Sequence, residues 1–250
     1  MPEEYDQAFY HNTSAAGSAA VIVPHLLALT GCRSVVDVGC GDGTWLRTFL
    51  DHGVEEVLGV DGDYVDHAWL KIPADRFRSH DLSTPLDFDR TYDLAMCLEV
   101  AEHLSPERAD STIEMLCALA PVVYFSGAIP HQGGTCHINE QWQTRWVEKF
   151  EARGFAAIDC IRPLVWNRED VQFWYCQNSA LFVRRDIVEK DEALRRELER
   201  TNPAYWNLVH PRLFELHMRA LEPETTSLRR IAPLIVPGIR RSILRRVSRG

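Results

Sequence analysis

Lysine occurs only three times in the 250 residues, against 24 arginines, and none of the seven cysteines, at 32, 40, 97, 117, 136, 160 and 176, forms a CxxC pair. An odd, dispersed set of cysteines argues against a disulfide framework, so reduced thiols and a cytoplasmic location are expected. Long apolar runs are also missing. The best of them, VIVPHLLAL, is broken by Pro24 and His25, and the opening MPEEYDQAFY is acidic with no apolar h-region. Neither an export signal nor a membrane span is expected. No repeat or low-complexity segment is present.

Positive charge is scarce outside one segment. The net charge is −9, but residues 227–250 contain seven arginines and no acid, which leaves 20 basic against 36 acidic residues, or −16, for residues 1–226. A body of that charge repels polyanions, because nucleic-acid affinity rests on neutralising phosphates with Lys and Arg. RNA or DNA is therefore disfavoured as a substrate unless the tail supplies the contact.

Apolar residues make up 46% of the chain, enough for one large domain with appendages. From Arg33 to about Arg185, short β-branched runs alternate with helical stretches, the pattern of an α/β protein with a parallel sheet covered on both faces. Strands are expected at SVVDVG, EVLGVD, RFRSHD, YDLAMCL, VVYFSG, AAIDCIR and FWYCQNSALFV, the last two as an antiparallel hairpin. Helices are expected over residues 14–30, in GTWLRTFLDHG, and in SPERADSTIEMLCALAP with Ser105 as N-cap and Pro106 in the first turn. Another fits NEQWQTRWVEKFEARGF, with residues 142, 146, 147 and 150 on one face and Gly154 as its stop, and further helices are expected over 186–221. The expected organisation is a helical lead-in (1–30), a central domain (31–185), and a helical extension with a basic tail (186–250).

VVDVGCGDGTW places Asp37, Gly39, Gly41 and Gly43 where a buried strand turns into a helix. The glycines let backbone approach a ligand closely, though a plain tight turn would use them too. The third glycine of a dinucleotide fingerprint is missing, with Thr44 in its place, and so is a Walker lysine. Asp61 ends the second strand in GVDGD, 24 positions after Asp37, where it could accept hydrogen bonds from two ribose hydroxyls or simply make a turn before Gly62. Asp81, in SHDLS, ends the third strand and could receive an exocyclic amine of adenine.

LEVAEHL, residues 98–104, sets Glu99, Glu102 and His103 just after the fourth strand. Ligands of such sheets gather at the carboxyl ends of the strands, and GTCHINEQW brings His137 shortly after the neighbouring fifth strand. Two carboxylates and two imidazoles would leave positions open on a divalent ion, in contrast to a closed structural zinc site. The competing reading is that Glu102 and His103 only help cap the next helix. His103, His137 or His131, in IPHQGG, is a candidate proton acceptor.

On the motif Asp37-Val38-Gly39-Cys40-Gly41-Asp42-Gly43, residues 30–185 resemble the class I S-adenosylmethionine (SAM)-dependent methyltransferases. The resemblance implies a Rossmann-like seven-stranded sheet with an antiparallel last strand. It also implies SAM bound by Asp37, the glycine loop, Asp61 with Gly62, and Asp81-Leu82. The Glu-x-x-Glu-His run with a later histidine resembles the small-RNA 3′-end 2′-O-methyltransferases and is similar to the ubiquinone-pathway O-methyltransferases. That likeness implies Glu99, Glu102, His103 and His137 as ligands of a divalent metal, magnesium first, with manganese or another divalent ion as alternatives.

A metal holding adjacent oxygens suits a sugar hydroxyl or a catechol, and the acidic body favours a neutral sugar or oligosaccharide over RNA. Trp166, flanked by Asn167, Arg168, Glu169 and Asp170, is a candidate face for a sugar ring, against the reading of a packed loop anchor. The arginine bias resembles proteins of high-GC bacteria, and within them the chain resembles mycobacterial methyltransferases of methylmannose polysaccharide synthesis, which implies a mannoside methylated at its anomeric hydroxyl. An RNA 2′-O-methyltransferase, a catechol or natural-product O-methyltransferase, and a noncatalytic SAM-binding regulatory or scaffold protein are the rivals. The Arg-rich tail could lie on an anionic membrane surface or pack on the acidic body or a second subunit.

Overall fold

The computed structural model describes residues 15–221, with side chains described through residue 219. The acidic N-terminus and the Arg-rich segment considered above lie outside the described residues. The chain divides into two compact units, the first ending at Leu208 and the second starting at Val209. In the second unit the described element is a helix, Pro211–Leu221.

The first unit is built on one seven-stranded sheet: β1 (Ser34–Val38), β2 (Glu56–Asp61), β3 (Phe77–Ser79), β4 (Leu94–Leu98), β5 (Val122–Ser126), β6 (Phe155–Ile158) and β7 (Ala180–Arg184). Their order across the sheet is β3-β2-β1-β4-β5-β7-β6. The first five pair in parallel, and β7 runs antiparallel between β5 and β6. This is the Rossmann-like sheet with an antiparallel last strand that the sequence predicts. Strands β1, β4 and β5 are buried along their whole length, as expected of apolar, β-branched strands covered on both faces.

Helices α1 (Ala16–Thr30) and α2 (Thr44–Asp51) lie on one face, where Ile22, Leu26, Trp45 and Phe49 join Val122 and Tyr124 of β5 in one core. Helices α3 (Pro106–Leu119) and α4 (Gln143–Glu151) lie on the other, where Ile113, Leu116, Trp146 and Phe150 meet Val123 and Phe125 of the same strand. The alternation along β5 is the period-2 geometry of a strand serving two cores at once. Ser105 caps α3 by accepting the Arg108 N–H, with Pro106 in the first turn. Four shorter or later helices complete the unit: α5 (Arg162–Val165), α6 (Phe173–Asn178), α7 (Arg185–Val188) and α8 (Glu192–Arg200).

The structure departs from the sequence reading after β6. FWYCQN was expected to be part of a strand, but it forms α6, and only the segment from Ala180 to Arg184 enters the sheet. Aromatic residues favour strands, yet in the helix the buried Gln177 and Asn178 find partners in Gln132, Gln143 and Glu99. The last two strands do pair antiparallel, but two helices separate them, so they are not a hairpin. In α4, Trp146, Val147 and Phe150 face the core, while Trp142 sits outside the helix at its N-cap.

Phe150 is fully buried and stacks on Phe182 at 3.8 Å between ring centroids. Phe150→Ala is expected to lower unfolding stability by about 3–5 kcal/mol, through lost apolar burial plus the cavity left behind. Urea unfolding monitored by circular dichroism reads this as a lower midpoint with an unchanged m-value.

Candidate active site

Strand order reverses between β1 and β4, because the chain leaves β1 toward β2 on one side and returns to place β4 on the other. Such a reversal opens a crevice at the carboxyl ends of the strands. Two adjoining cavities occupy it. One, of about 910 Å³, is lined by Gly39, Gly41, Asp61, Tyr64, Asp81 and Leu82 among others. The second, of about 290 Å³, is lined by Asp37, Gly39, Thr44, Glu102, His137 and Trp174 among others. Gly39, Gly41, Glu99 and His103 border both.

The glycine loop is shaped by what its backbone must approach. Gly39 has φ 88°, and a Cβ there would lie 2.2 Å from Cγ2 of Val100, so the loop closes onto the β4 end only with glycine. Asp61 braces the loop from β2: its Oδ2 accepts the Gly41 N–H at 2.7 Å, and its Oδ1 accepts the Gly62 N–H at 2.7 Å and the Tyr64 hydroxyl. Burial raises the Asp61 carboxyl above the ordinary range even against those hydrogen bonds. Asp37, 2% exposed, is pushed up to about 7 by burial and by the neighbouring Asp61 charge, and its Oδ1 has no hydrogen-bond partner. Asp81 lies two residues beyond β3, exposed, with Oδ1 accepting the Ser83 N–H at 2.9 Å. Gly43 belongs to the loop but not to the lining of either cavity.

Beyond β4 the chain makes a single 3₁₀ turn over Ala101–His103 that carries Glu102 and His103 into the crevice. Glu102, His103 and His137 each offer a donor atom within 4.8 Å of the others, and the two imidazoles meet edge to face with centroids 4.8 Å apart. Glu102 is 0% exposed and neither carboxylate oxygen has a hydrogen-bond partner. Burial, and then the Glu99 charge, push its carboxyl well above the ordinary range. Burial together with His137 pushes His103 down to about 4, against a hydrogen bond to the Cys136 backbone. The capping role considered for Glu102 and His103 is taken by Ser105 instead.

Glu99 stands apart from the three-residue cluster. Its φ is 55°, unusual for a residue with a side chain, and its carboxylate is tied to amides: Asn178 Nδ2 donates at 3.0 Å and Gln132 Nε2 at 3.0 Å. Asn178 is held in turn by Gln143 and Gln177, both donating to its Oδ1. Burial raises the Glu99 carboxyl, while the hydrogen bonds from Asn178 and Gln132 oppose that rise. Glu99 and Gln132 are half-buried and Asn178 is buried, and no feature of the local sequence marks the amides as partners of the carboxylate.

Two other candidates are not brought to the cavities. His131 is exposed and lines neither of them, and Trp166, half-buried at the end of α5, lines neither as well. The aromatic wall is made instead by Trp45, Trp174 and Tyr175, because α6 turns the latter two toward the glycine loop. Trp45 and Tyr175 meet edge to face at 5.1 Å.

The family model described as "Methyltransferase domain" matches residues 13–178, which span the glycine loop, the 3₁₀ turn and the amide cluster. The chain belongs to the methyltransferase-domain family. It is a methyltransferase. The methyltransferase is similar in fold to SAM-bound CalS10, an amino pentose methyltransferase from Micromonospora echinaspora involved in calicheamicin biosynthesis (15% identity, 72% of this chain and 96% of that one, TM-score 0.53). It is also similar to DesVI of Streptomyces venezuelae (13% identity, 72% and 96%, TM-score 0.53). The methyltransferase domain of bacterial CtHen1-C matches at 20% identity over 67% of this chain and 97% of that one, with a TM-score of 0.50. No curated protein matches the sequence. Among the described residues, no helix of the methyltransferase is long and apolar enough to cross a membrane.

The Asp37 shift has a definite sign. Its folded value of about 7 lies above the ordinary 3.8, so the folded protein holds a proton that the unfolded chain has released. The stability this contributes is fully present below pH 3.8 and is lost as pH rises through about 7. In the cofactor-free methyltransferase, Asp37→Asn is expected to flatten that decline. Relative to wild type it should gain on the order of 4 kcal/mol between about pH 4 and pH 8, measured by urea unfolding at the two values.

Proposed function

We propose that the methyltransferase transfers the SAM methyl group to a hydroxyl of a sugar or oligosaccharide, with a divalent cation at Glu102, His103 and His137. The observation that carries the metal part of this reading is Glu102. A fully buried carboxylate with both oxygens unpartnered, beside two imidazoles, is costly unless a cation completes it. One carboxylate and two imidazoles suit magnesium, manganese or another divalent ion with positions left for other ligands. Such an ion would supply Lewis acidity toward an acceptor hydroxyl. Glu99, which the four-ligand expectation included, is read here as bordering the ion from its amide seat.

For the cofactor, the unpartnered Asp37 Oδ1 fits a polar ligand at the loop. We assign the methionine end of SAM to Asp37 and the glycine loop with Gly41 and Gly43, the ribose to Asp61 beside Gly62, and the adenine to Asp81 and Leu82. Asp61 has about four lone-pair sites and already accepts three hydrogen bonds. It therefore takes one ribose hydroxyl directly, and a second only if the Tyr64 hydroxyl yields its place. The methyl group would then face the smaller cavity, where Trp174 and Tyr175 offer the apolar faces for a sugar ring that the sequence sought in Trp166. A mannoside is one such acceptor.

In this reading His103 and His137 both ligate the ion, so either takes up the proton only when it leaves the ion, and His131 lines neither cavity. His103, pushed down to about 4, is in its neutral form at physiological pH and so retains a lone pair for either task. An RNA acceptor fits less well with the −16 of residues 1–226. The methyltransferase is read as a cytoplasmic enzyme with the domain limits expected from the sequence, and self-association is compatible with them.

Methyl transfer from labelled SAM to a panel of mannosides, catechols and a short RNA tests the proposal. Labelling of a sugar should require added magnesium or manganese, cease with EDTA, and fall by about a hundredfold or more in Glu102→Ala. Equal labelling in EDTA and in the variant sinks the metal; labelling confined to catechol or RNA sinks the sugar.

A further inference from the structure

The loop from His131 to Glu140 forms the wall of the smaller cavity, contributing Gln132, Gly133, Gly134, Thr135 and His137. A segment of such polarity with two adjacent glycines has little apolar surface with which to hold its shape. One carboxylate at its end gathers it. Glu140 Oε2 accepts the His131 N–H at 2.6 Å, and Oε1 accepts the Gly133 N–H at 3.0 Å. The same Oε1 lies 3.0 Å from Nδ1 of His137.

The His137 ring is confined from a second direction. Gly134 has φ 153°, and a Cβ there would lie 2.3 Å from Nε2 and 2.4 Å from Cε1 of His137. Only a glycine permits the ring to lie against the loop in this way. The ring thus lies against bare backbone and meets a carboxylate at Nδ1, and both side chains are largely shielded from solvent.

We propose that Glu140 is a positioning residue that fixes His137 as the Nδ1–H tautomer, with the Nε2 lone pair left for the Glu102–His103 cluster, while closing the loop on which His137 is carried. A carboxylate facing the imidazole can only accept, so the ring proton must reside on Nδ1. Carboxylate partners of this kind orient ligating histidines and raise their basicity. The proposal rests on the metal reading for its purpose, but the tautomer it assigns does not depend on any ion.

The test uses the full-length methyltransferase, free of metal and labelled with ¹⁵N at histidine, at about pH 8, above the ordinary imidazole value of about 6.5. Long-range ¹H–¹⁵N spectra, with His137 assigned by its loss in His137→Asn, should show the Nδ1–H form in wild type. Glu140→Leu, which removes both acceptor oxygens and with them all three bonds, should convert it to a mixture richer in Nε2–H. Glu140→Gln, whose side-chain oxygen can keep the Gly133 and His137 bonds, should retain the wild-type signature. Manganese affinity by calorimetry should fall about tenfold or more in Glu140→Leu and change by less than about threefold in Glu140→Gln, with SAM affinity steady in both as a control for folding.

A wild-type His137 in the Nε2–H form overturns the proposal whatever the variants do, as does an unchanged tautomer in folded Glu140→Leu. A tautomer shift in a protein that binds no manganese overturns the metal reading and leaves the role of Glu140 standing. An anchor for the loop alone would move neither the tautomer nor its rescue by glutamine.

Discussion

Three carboxylates, Asp37, Asp61 and Glu102, are removed from solvent at one end of a parallel sheet with the half-buried Glu99 beside them, and the cost of desolvating them governs the rest of the site. The protein offsets that cost unevenly. Asp61 is surrounded by loop amides and a phenol, and Glu99 by side-chain amides. Asp37 keeps an unpartnered oxygen and Glu102 keeps two. The satisfied pair hold the loop and the β4 end in place, and the unsatisfied pair are where a ligand gains most by binding. Apolar strands buried on both faces hold the backbone still enough for such a distribution to persist.

The two adjoining cavities follow from the same arrangement. Reversal of strand order between β1 and β4 separates the glycine loop from the 3₁₀ turn by the width of one strand pair. Glu99 stands on the boundary with a left-handed backbone, and its amide partners come from the loop after β5 and from α6. Backbone strain of this kind persists only where surrounding contacts over-determine it. Here the contacts are a chain of amides in which Gln143 donates to Asn178 and Asn178 donates to Glu99.

The parts of the site that were legible in the sequence are those whose chemistry is local. The glycine loop, Asp61 before Gly62, and Glu102 beside His103 each lie within a few residues of the strand end that places them, and His137 follows the neighbouring strand. The supporting residues were not legible. Asn178 is 79 positions from Glu99, and Gln132 is 33 positions away, so only packing of α6 and of the β5 loop brings their amides to the carboxylate. Trp166 attracted attention as an aromatic residue among polar ones, whereas Trp174 and Tyr175 sat in a run that reads as strand. Their presence in the cavity depends on that run being a helix.

The sequence alone determined the α/β alternation, the class of turn after the first strand and the set of acids and histidines near the crevice, because strand burial, glycine turns and helix caps act over a few residues. Only the tertiary structure decided which carboxylates are satisfied, which aromatic side chains line the smaller cavity, and that Glu102, His103 and His137 meet while Glu99 is held aside. Those outcomes are set by hydrogen bonds and burial between segments far apart in the chain. The energy of each is a property of the folded surroundings and not of the residue that carries it.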